Sequence, residues 1–329
     1  MAQNRDAIFL ALSVIFVILL CDLSTPFVYK HVETDRSRTT IILTKLQDPN
    51  FRPDVVVFGS SLSMSGIDAY QMTNELGLDC YNFSSTGQTQ EESSLYYTLL
   101  PNSVKEVVQV INIPVRDLAN DDVDTSEKKH LNSAIVSSFV LGGYKISQEA
   151  KDINKMIDLS DFDKCKYLIS IDARASILIP AITQKLVPRD KSALEDLKFP
   201  NGQLTNKHGM YNRTVKQLEG LSCYGKEIEL DTKALQLLNE YAEYFRSKGV
   251  NYNVVLMPIN PDSKIYTKDQ CEWISQQIRE KVTMARVIDF LNLPLTSDLF
   301  YDGGHLNRDG AKIVTGLLNK ELKEFSRAF

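Results

Sequence analysis

The sequence predicts an α/β protein in which helices cover both faces of a parallel sheet, giving three α/β/α layers. Two observations predict it. From residue 54 onward, short apolar runs of strand length alternate with helical segments, the pattern of parallel strands joined by crossover helices. The runs are apolar throughout, as in "VVVF" at 55–58, so both faces of such strands are buried. The alternation breaks over 119–230, which predicts an insertion between the third and fourth strands.

The elements follow in order. "DVVVFG" (54–59) is a buried strand stopped by glycine. "DAYQMTNELG" (68–77) is a helix, with Asp68 placed to cap its start and Gly77 to end it. "DCYNFS" (79–84) is a second strand, and "TQEESSLYYTLL" (89–100) a helix stopped by Pro101. "VKEVVQVINI" (104–113) is the third strand, stopped by Pro114. The insertion holds two predicted helices, at about 130–157 and 165–186, and a turn-rich stretch, "FPNGQLTNKHGMYNRT" (199–214). A helix over 231–248 has Asp231 as its cap, Gly249 at its end and an apolar stripe through Leu235, Leu238, Tyr241 and Phe245. The fourth strand is "VNYNVVLMP" (250–258). A helix over 267–281 leads to the fifth strand, "ARVIDF" (285–290). The chain closes on an amphipathic helix at about 307–325, with Ile313, Leu317, Leu318, Leu322 and Phe325 read as its apolar stripe.

The totals exclude some functions. The chain has 329 residues, 43% of them hydrophobic, and a net charge of −5. Its pI is about 5.5. No basic patch dominates, which argues against a nucleic-acid binder. The five cysteines, at 21, 80, 165, 223 and 271, lack metal-ligand or redox-motif spacing and read as free thiols. No metal and no organic cofactor is expected. Residues 7–21, "AIFLALSVIFVILLC", form an unbroken run of apolar or small residues. No small-x-small cleavage site follows, so residues 1–28 read as an uncleaved signal anchor, with a cleaved signal peptide as the second reading. Residues 29–50 read as a tether with one short helix, and 51–329 as the domain. Lys30, Arg36 and Arg38 follow the run, and a positive-inside count alone would keep the domain in the cytoplasm. Long domains translocate despite such charges, and the expectation is a domain outside the cytoplasm.

Ligands of open α/β sheets bind beyond the carboxyl ends of the strands. Three segments lie at such ends: Gly59-Ser60-Ser61, "YNFSSTGQT" (81–89) and "DLFYDGGHLNRDG" (298–310). A serine hydroxyl becomes a nucleophile when a base takes its proton, and histidine oriented by a carboxylate is the usual base. Of the four histidines, His31 falls in the tether, His130 at the start of a helix and His208 in the insertion loop. Only His305 lies at a strand-to-helix junction of the core, with Asp302 three residues before it. The two glycines between them are expected to let the loop turn sharply.

These blocks, in this order, resemble the SGNH (GDSL-like) hydrolase superfamily. Gly59-Ser60-Ser61 is similar to that family's first block, with Ser61 at the nucleophile and Ser60 in place of an aspartate. "YNFSSTG" is similar to the second, which maps the oxyanion-hole glycine amide to Gly87 and gives Asn82 a supporting place. Asp302-Gly-Gly-His305 matches the last block in full. The third block departs: "PVRDL" (114–118) carries Arg116 where the family has asparagine. Arg116 could donate to an oxyanion, bind an anionic substrate group or pair with Asp117. The resemblance covers 54–118 and 250–325, and it implies a flavodoxin-like sheet of order 2-1-3-4-5.

With its anchor and its Gly-Ser-Ser block, the chain resembles the membrane-anchored DltD-like and alginate-acetylation-like branches. That resemblance implies an O-acyl esterase or O-acyltransferase on an acylated cell-envelope glycan or polymer, at the outer face of a bacterial inner membrane. A multi-spanning membrane acyltransferase is the implied partner. Ser61 would carry the acyl group, His305 would be the base, and Asp302 would orient it. The amides of Ser61 and Gly87 would hold the oxyanion. His208, in the insertion that the resemblance does not cover, is either a plain loop histidine or a contact to bound substrate. The alternative is a catalytically weak scaffold of the same fold that binds an envelope polymer or assists a membrane acyltransferase.

Overall fold

A computed structural model describes residues 38–117, 148–153, 223–263 and 265–326. The predicted anchor at 1–28, most of the tether and most of the insertion, including its second helix, fall outside the described residues. Among the described residues no helix is long and apolar enough to cross a membrane.

Helix α1 (Arg38–Leu46) precedes strand β1 (Val55–Phe58). A six-residue helix α2 (Ser61–Gly66), helix α3 (Ala69–Leu76) and strand β2 (Cys80–Asn82) follow. Helix α4 (Gln90–Tyr97) and strand β3 (Glu106–Val110) lead to the short strand β4 (Val115–Asp117). The described part of the insertion comprises helix α5 (Gln148–Ile153) and strand β5 (Ile228–Leu230). Helix α6 (Thr232–Ser247), strand β6 (Asn251–Leu256), helix α7 (Lys268–Lys281), strand β7 (Arg286–Asp289) and helix α8 (Arg308–Ser326) complete the order.

The main sheet has five parallel strands in the order β2-β1-β3-β6-β7, which is 2-1-3-4-5 when its own strands are numbered. This is the predicted fold. Side chains of successive strand residues point to opposite faces, and the core divides accordingly. Val56, Phe58, Val107, Val254 and Leu256 pack with residues of α4, α6 and α7 on one side. Val55, Val57, Val108, Val110 and Val255 pack with residues of α3 and α8 on the other. Rings of Tyr97, Tyr241, Phe245 and Tyr252 meet on the first side, with the Tyr97 hydroxyl donating to Gln109 Oε1 at 2.7 Å.

Three features were not read from the sequence. Helix α1 is part of the core: Ile42 and Leu43 are fully buried, and Phe51 just after it packs edge-on against Tyr81 and Phe83. The segment read as tether therefore enters the domain by Ile42. The insertion begins and ends on a two-stranded antiparallel ribbon, with Arg116 of β4 opposite Glu229 of β5. Three-residue strands carry too little periodicity to register in a sequence scan. The closing helix buries Leu318 and Leu322 of the predicted stripe but not Ile313. Ala311, Val314, Thr315, Leu318, Asn319 and Leu322 are buried, whereas Ile313 is 43% exposed. At roughly 100° per residue, Ile313 lies well off the stripe that 311, 314, 318 and 322 define, and two polar residues complete the buried face.

Candidate active site

The carboxyl end of β1 builds the first wall. Gly59 leaves the strand with φ at +152°, a conformation L side chains rarely adopt. A Cβ there would lie 2.8 Å from both Ser63 Cβ and the Val110 carbonyl oxygen. Ser60 is the N-cap of α2, its hydroxyl accepting from Leu62 N–H at 3.4 Å, and it is 4% exposed. Its hydroxyl also donates to Asn112 Oδ1 at 2.7 Å. Ser61, the first residue of the helix, is half-buried with its hydroxyl directed to His305.

The β2 end props this turn. Asn82 is fully buried; its amide nitrogen donates to the carbonyls of Ser63 and Ile67, both at 3.1 Å, and its Oδ1 accepts from Ser84 N–H at 2.9 Å. Ser84 in turn donates to Ser63 Oγ at 2.7 Å, and Ser65 donates to the Ser61 carbonyl at 2.9 Å. The other serines of the block are thus bonded within it. Beyond Ser84, Ser85 N–H donates to the Gly59 carbonyl, and Gln88 N–H closes a turn onto the Ser85 carbonyl. Gly87 occupies the third position of that turn with φ at +71°, where a type II turn requires positive φ. This hangs the Gly87 turn from the tip of β1.

The second wall is the loop before α8. His305 Nε2 lies 2.8 Å from Ser61 Oγ, and its Nδ1 lies 2.8 Å from Asp302 Oδ2. Asp302 Oδ1 also accepts from the backbone N–H of Gly304 (2.9 Å) and of His305 (2.8 Å). Burial pushes the Asp302 carboxyl up. The His305 ring and those two backbone N–H groups outweigh it and hold the group below its ordinary value of 3.8. The expected role of the glycine pair is not what the loop uses: neither Gly303 nor Gly304 has positive φ. The turn is drawn closed by the Asp302 carboxylate, and a Cβ at Gly304 would meet Leu62 Cδ2 at 3.4 Å, an ordinary van der Waals contact.

The structure therefore brings together Ser61, His305 and Asp302, with Gly59, Ser60 and Asn82 holding the turn that carries Ser61 and the Gly87 turn tied to the Gly59 carbonyl. Arg116 is described by its backbone alone, in β4, and His208 lies outside the described residues. Among the described residues no group of three or more His, Cys, Asp or Glu side chains could hold a metal ion. A groove of about 620 Å³ between α7 and the segment after β7 contains none of these residues.

Two site residues escaped the sequence reading. Asn112 is exposed just past β3, and its Oδ1 is taken by Ser60 while its amide nitrogen has no partner among the described residues. It was hidden inside the strand read over 104–113. Asn260 follows β6 in "MPINPD" and bonds the Asp302 loop; an asparagine between two prolines at a strand end was the available signal.

A line of carboxylate, imidazole and hydroxyl at hydrogen-bond distances can pass the serine proton to the imidazole while the carboxylate steadies the ring. No protein-family model matches the chain, and no curated protein matches it. Among solved structures the chain is similar to one from Streptococcus pneumonia, provisionally described as a platelet activating factor. The identity is 11%, the TM-score is 0.38, and the match covers 96% of this chain and 98% of that one. At that score the likeness carries no argument about activity.

Proposed function

We propose that this protein is a serine O-acyl esterase or O-acyltransferase that works through an acyl-enzyme on Ser61. The observation that carries the reading is the 2.8 Å approach of His305 Nε2 to Ser61 Oγ, across 244 residues of sequence, with Asp302 on the far ring nitrogen. Ser61 Oγ attacks an ester carbonyl carbon while its proton passes to His305 Nε2. The tetrahedral oxyanion collapses, the C–O bond to the leaving group breaks, and the proton on Nε2 goes to the departing alkoxide. Water or an acceptor hydroxyl, deprotonated by the same nitrogen, then attacks the acyl carbon; the bond to Ser61 Oγ breaks, and the proton on Nε2 returns to that oxygen.

An oxyanion needs preorganised donors, and removing one costs about 3–4 kcal/mol of transition-state stabilisation. The backbone N–H groups of Ser61 and Gly87 are the first two in this reading. Asn112 is a better third donor than Arg116. Its Oδ1 is occupied by the Ser60 hydroxyl, so its amide hydrogens are turned away from Ser60, on an exposed residue beside the nucleophile.

The resemblance to SGNH hydrolases of the DltD-like and alginate-acetylation-like branches supports an acylated envelope glycan or polymer as substrate. The apolar run at 7–21 supports a membrane anchor with the domain outside the cytoplasm. A multi-spanning membrane acyltransferase would then be the partner. Ser60 in place of the family's aspartate and Arg116 in place of its asparagine favour a second reading, a non-catalytic scaffold on the same fold.

A fluorophosphonate probe followed by peptide mass spectrometry separates the two readings. The expected result is an adduct on Ser61 in the native chain, none in Ser61→Ala, and slower labelling in Asn112→Ala. Ser60→Ala is expected to retain measurable hydrolysis of a short-chain aryl ester. Absence of any Ser61 adduct in folded protein would leave the scaffold.

A further inference from the structure

We infer that Asn260 is a positioning residue for the Asp302–His305 arm, and that it fixes the arm's height above Ser61. The inference rests on the reading of Ser61, Asp302 and His305 as a reacting trio. Asn260 lies in the segment Pro258–Ser263 that leaves β6, and it is 5% exposed. Its side-chain nitrogen donates to the Asp302 carbonyl at 3.1 Å. Its backbone N–H donates to the Gly303 carbonyl, also at 3.1 Å. Its Oδ1 accepts from Asp262 N–H at 3.0 Å, and its carbonyl accepts from Ser263 N–H at 2.9 Å. One buried residue thus ties its own turn shut and holds two successive carbonyls of the opposite loop, Asp302's by its side chain and Gly303's by its backbone N–H.

The mechanical consequence follows from where the two walls are anchored. Ser61 is fixed to β1 and, through Asn82, to β2. The loop of Asp302 and His305 is closed on itself by the Asp302 carboxylate, by Tyr301 N–H to the His305 carbonyl at 2.7 Å, and by the bridge between Phe300 and Leu306. Those bonds keep the loop's shape, and Phe300 and Leu306 root its base in the core. Asn260 supplies the bond to a neighbouring strand end, that of β6, which lies beside β3. Asp262, next in the turn, also accepts a hydrogen bond from Ser297 at the 3₁₀ turn over Ser297–Leu299. The β6 turn therefore holds the arm at two points, and only the Asn260 bond reaches the Asp302 segment.

Asn260→Asp is the discriminating variant. It keeps size and the oxygen that Asp262 uses, and it replaces the donor facing Asp302 with an acceptor. With a short-chain aryl ester, kcat is expected to fall about tenfold to a hundredfold, the cost of a small misplacement of reacting groups, with KM within about twofold of the native value. The low-field proton NMR resonance of the His305–Asp302 hydrogen bond is expected to shift upfield or broaden away. Simple loss of stability would not move that signal in folded protein. If Asn260→Asp does not fold, Asn260→Ala, which forces no oxygen against the carbonyl, is decided by the same two measurements. An unchanged resonance and kcat in a folded variant overturn the inference. Should the native chain take no fluorophosphonate on Ser61, the hydrolase reading falls, and the resonance alone decides whether Asn260 holds the arm.

Discussion

Gly59 shows how one residue couples strand, turn and the Ser61 hydroxyl. It ends β1, and its lack of a side chain admits both the Ser63 Cβ and the Val110 carbonyl at distances a Cβ would violate. Alanine at this position would have to adopt a φ near +152° as well as displace backbone. Gly59→Ala is expected to cost about 2–3 kcal/mol, the usual range for strained backbone with a steric clash, measured by urea denaturation. It should lower the rate of Ser61 labelling more than its stability loss explains, because α2 would tilt. The glycine was legible as a strand stop. The two neighbours that demand it come from 63 and from 110, and only the fold sets them against it.

At the scale of elements, the caps at Asp68 and Asp231 were read from the sequence, and those at Thr89 and Thr267 were there to be read. Asp68, Asp231 and Thr267 each accept from a backbone N–H in the first turn of the helix they precede. Thr267 forms a reciprocal capping box with Gln270, and Thr89 does the same with Glu92. These bonds span two or three residues, so sequence carries them directly. Helix faces are another matter. In α8, Leu318 is fully buried and Ile313 is 43% exposed. Leu318→Ala is expected to destabilise by about 2–5 kcal/mol, as core truncations do. Ile313→Lys should change stability by no more than about 0.5 kcal/mol. Thermal or urea unfolding of the two variants checks the assignment. Thr315 explains the misreading: it is fully buried because its hydroxyl accepts from Asp68 N–H at 2.9 Å, a partner 247 residues away.

For the whole molecule, carboxylates held below their ordinary values set the response to acid. Asp54 is lowered by its hydrogen bond to Lys105, Glu75 by that from Asn319, and Asp302 by the His305 ring and backbone N–H groups against the opposing effect of burial. A depressed carboxyl contributes stability that is present above its unfolded value and lost as pH falls through its folded value. The ordinary values here are 3.8 for the aspartates and 4.5 for Glu75. The urea midpoint is therefore expected to stay level from neutral pH to about 5 and to fall below about 4. A midpoint unchanged down to pH 3 would contradict these assignments. Cys80, pushed up to about 12 by burial, and Cys271, pushed up to about 11, should stay unalkylated in the native state at pH 8.

Sequence by itself determined the α/β class, the strand-and-helix order along the chain and the caps at Asp68 and Asp231, and it singled out Ser61, Asp302 and His305 as candidates. The class, order and caps rest on short-range spacing or on a strand that is apolar on both faces, and the candidates rest on motif blocks that resemble a family's. The tertiary structure alone decided that Ser61 and His305 meet at 2.8 Å, that Asn112 and Asn260 border the site, and that Ile42 and Leu43 belong to the core. Those facts depend on which strand ends lie side by side, and parallel crossovers place residues together whose separation in sequence bears no relation to their distance in space.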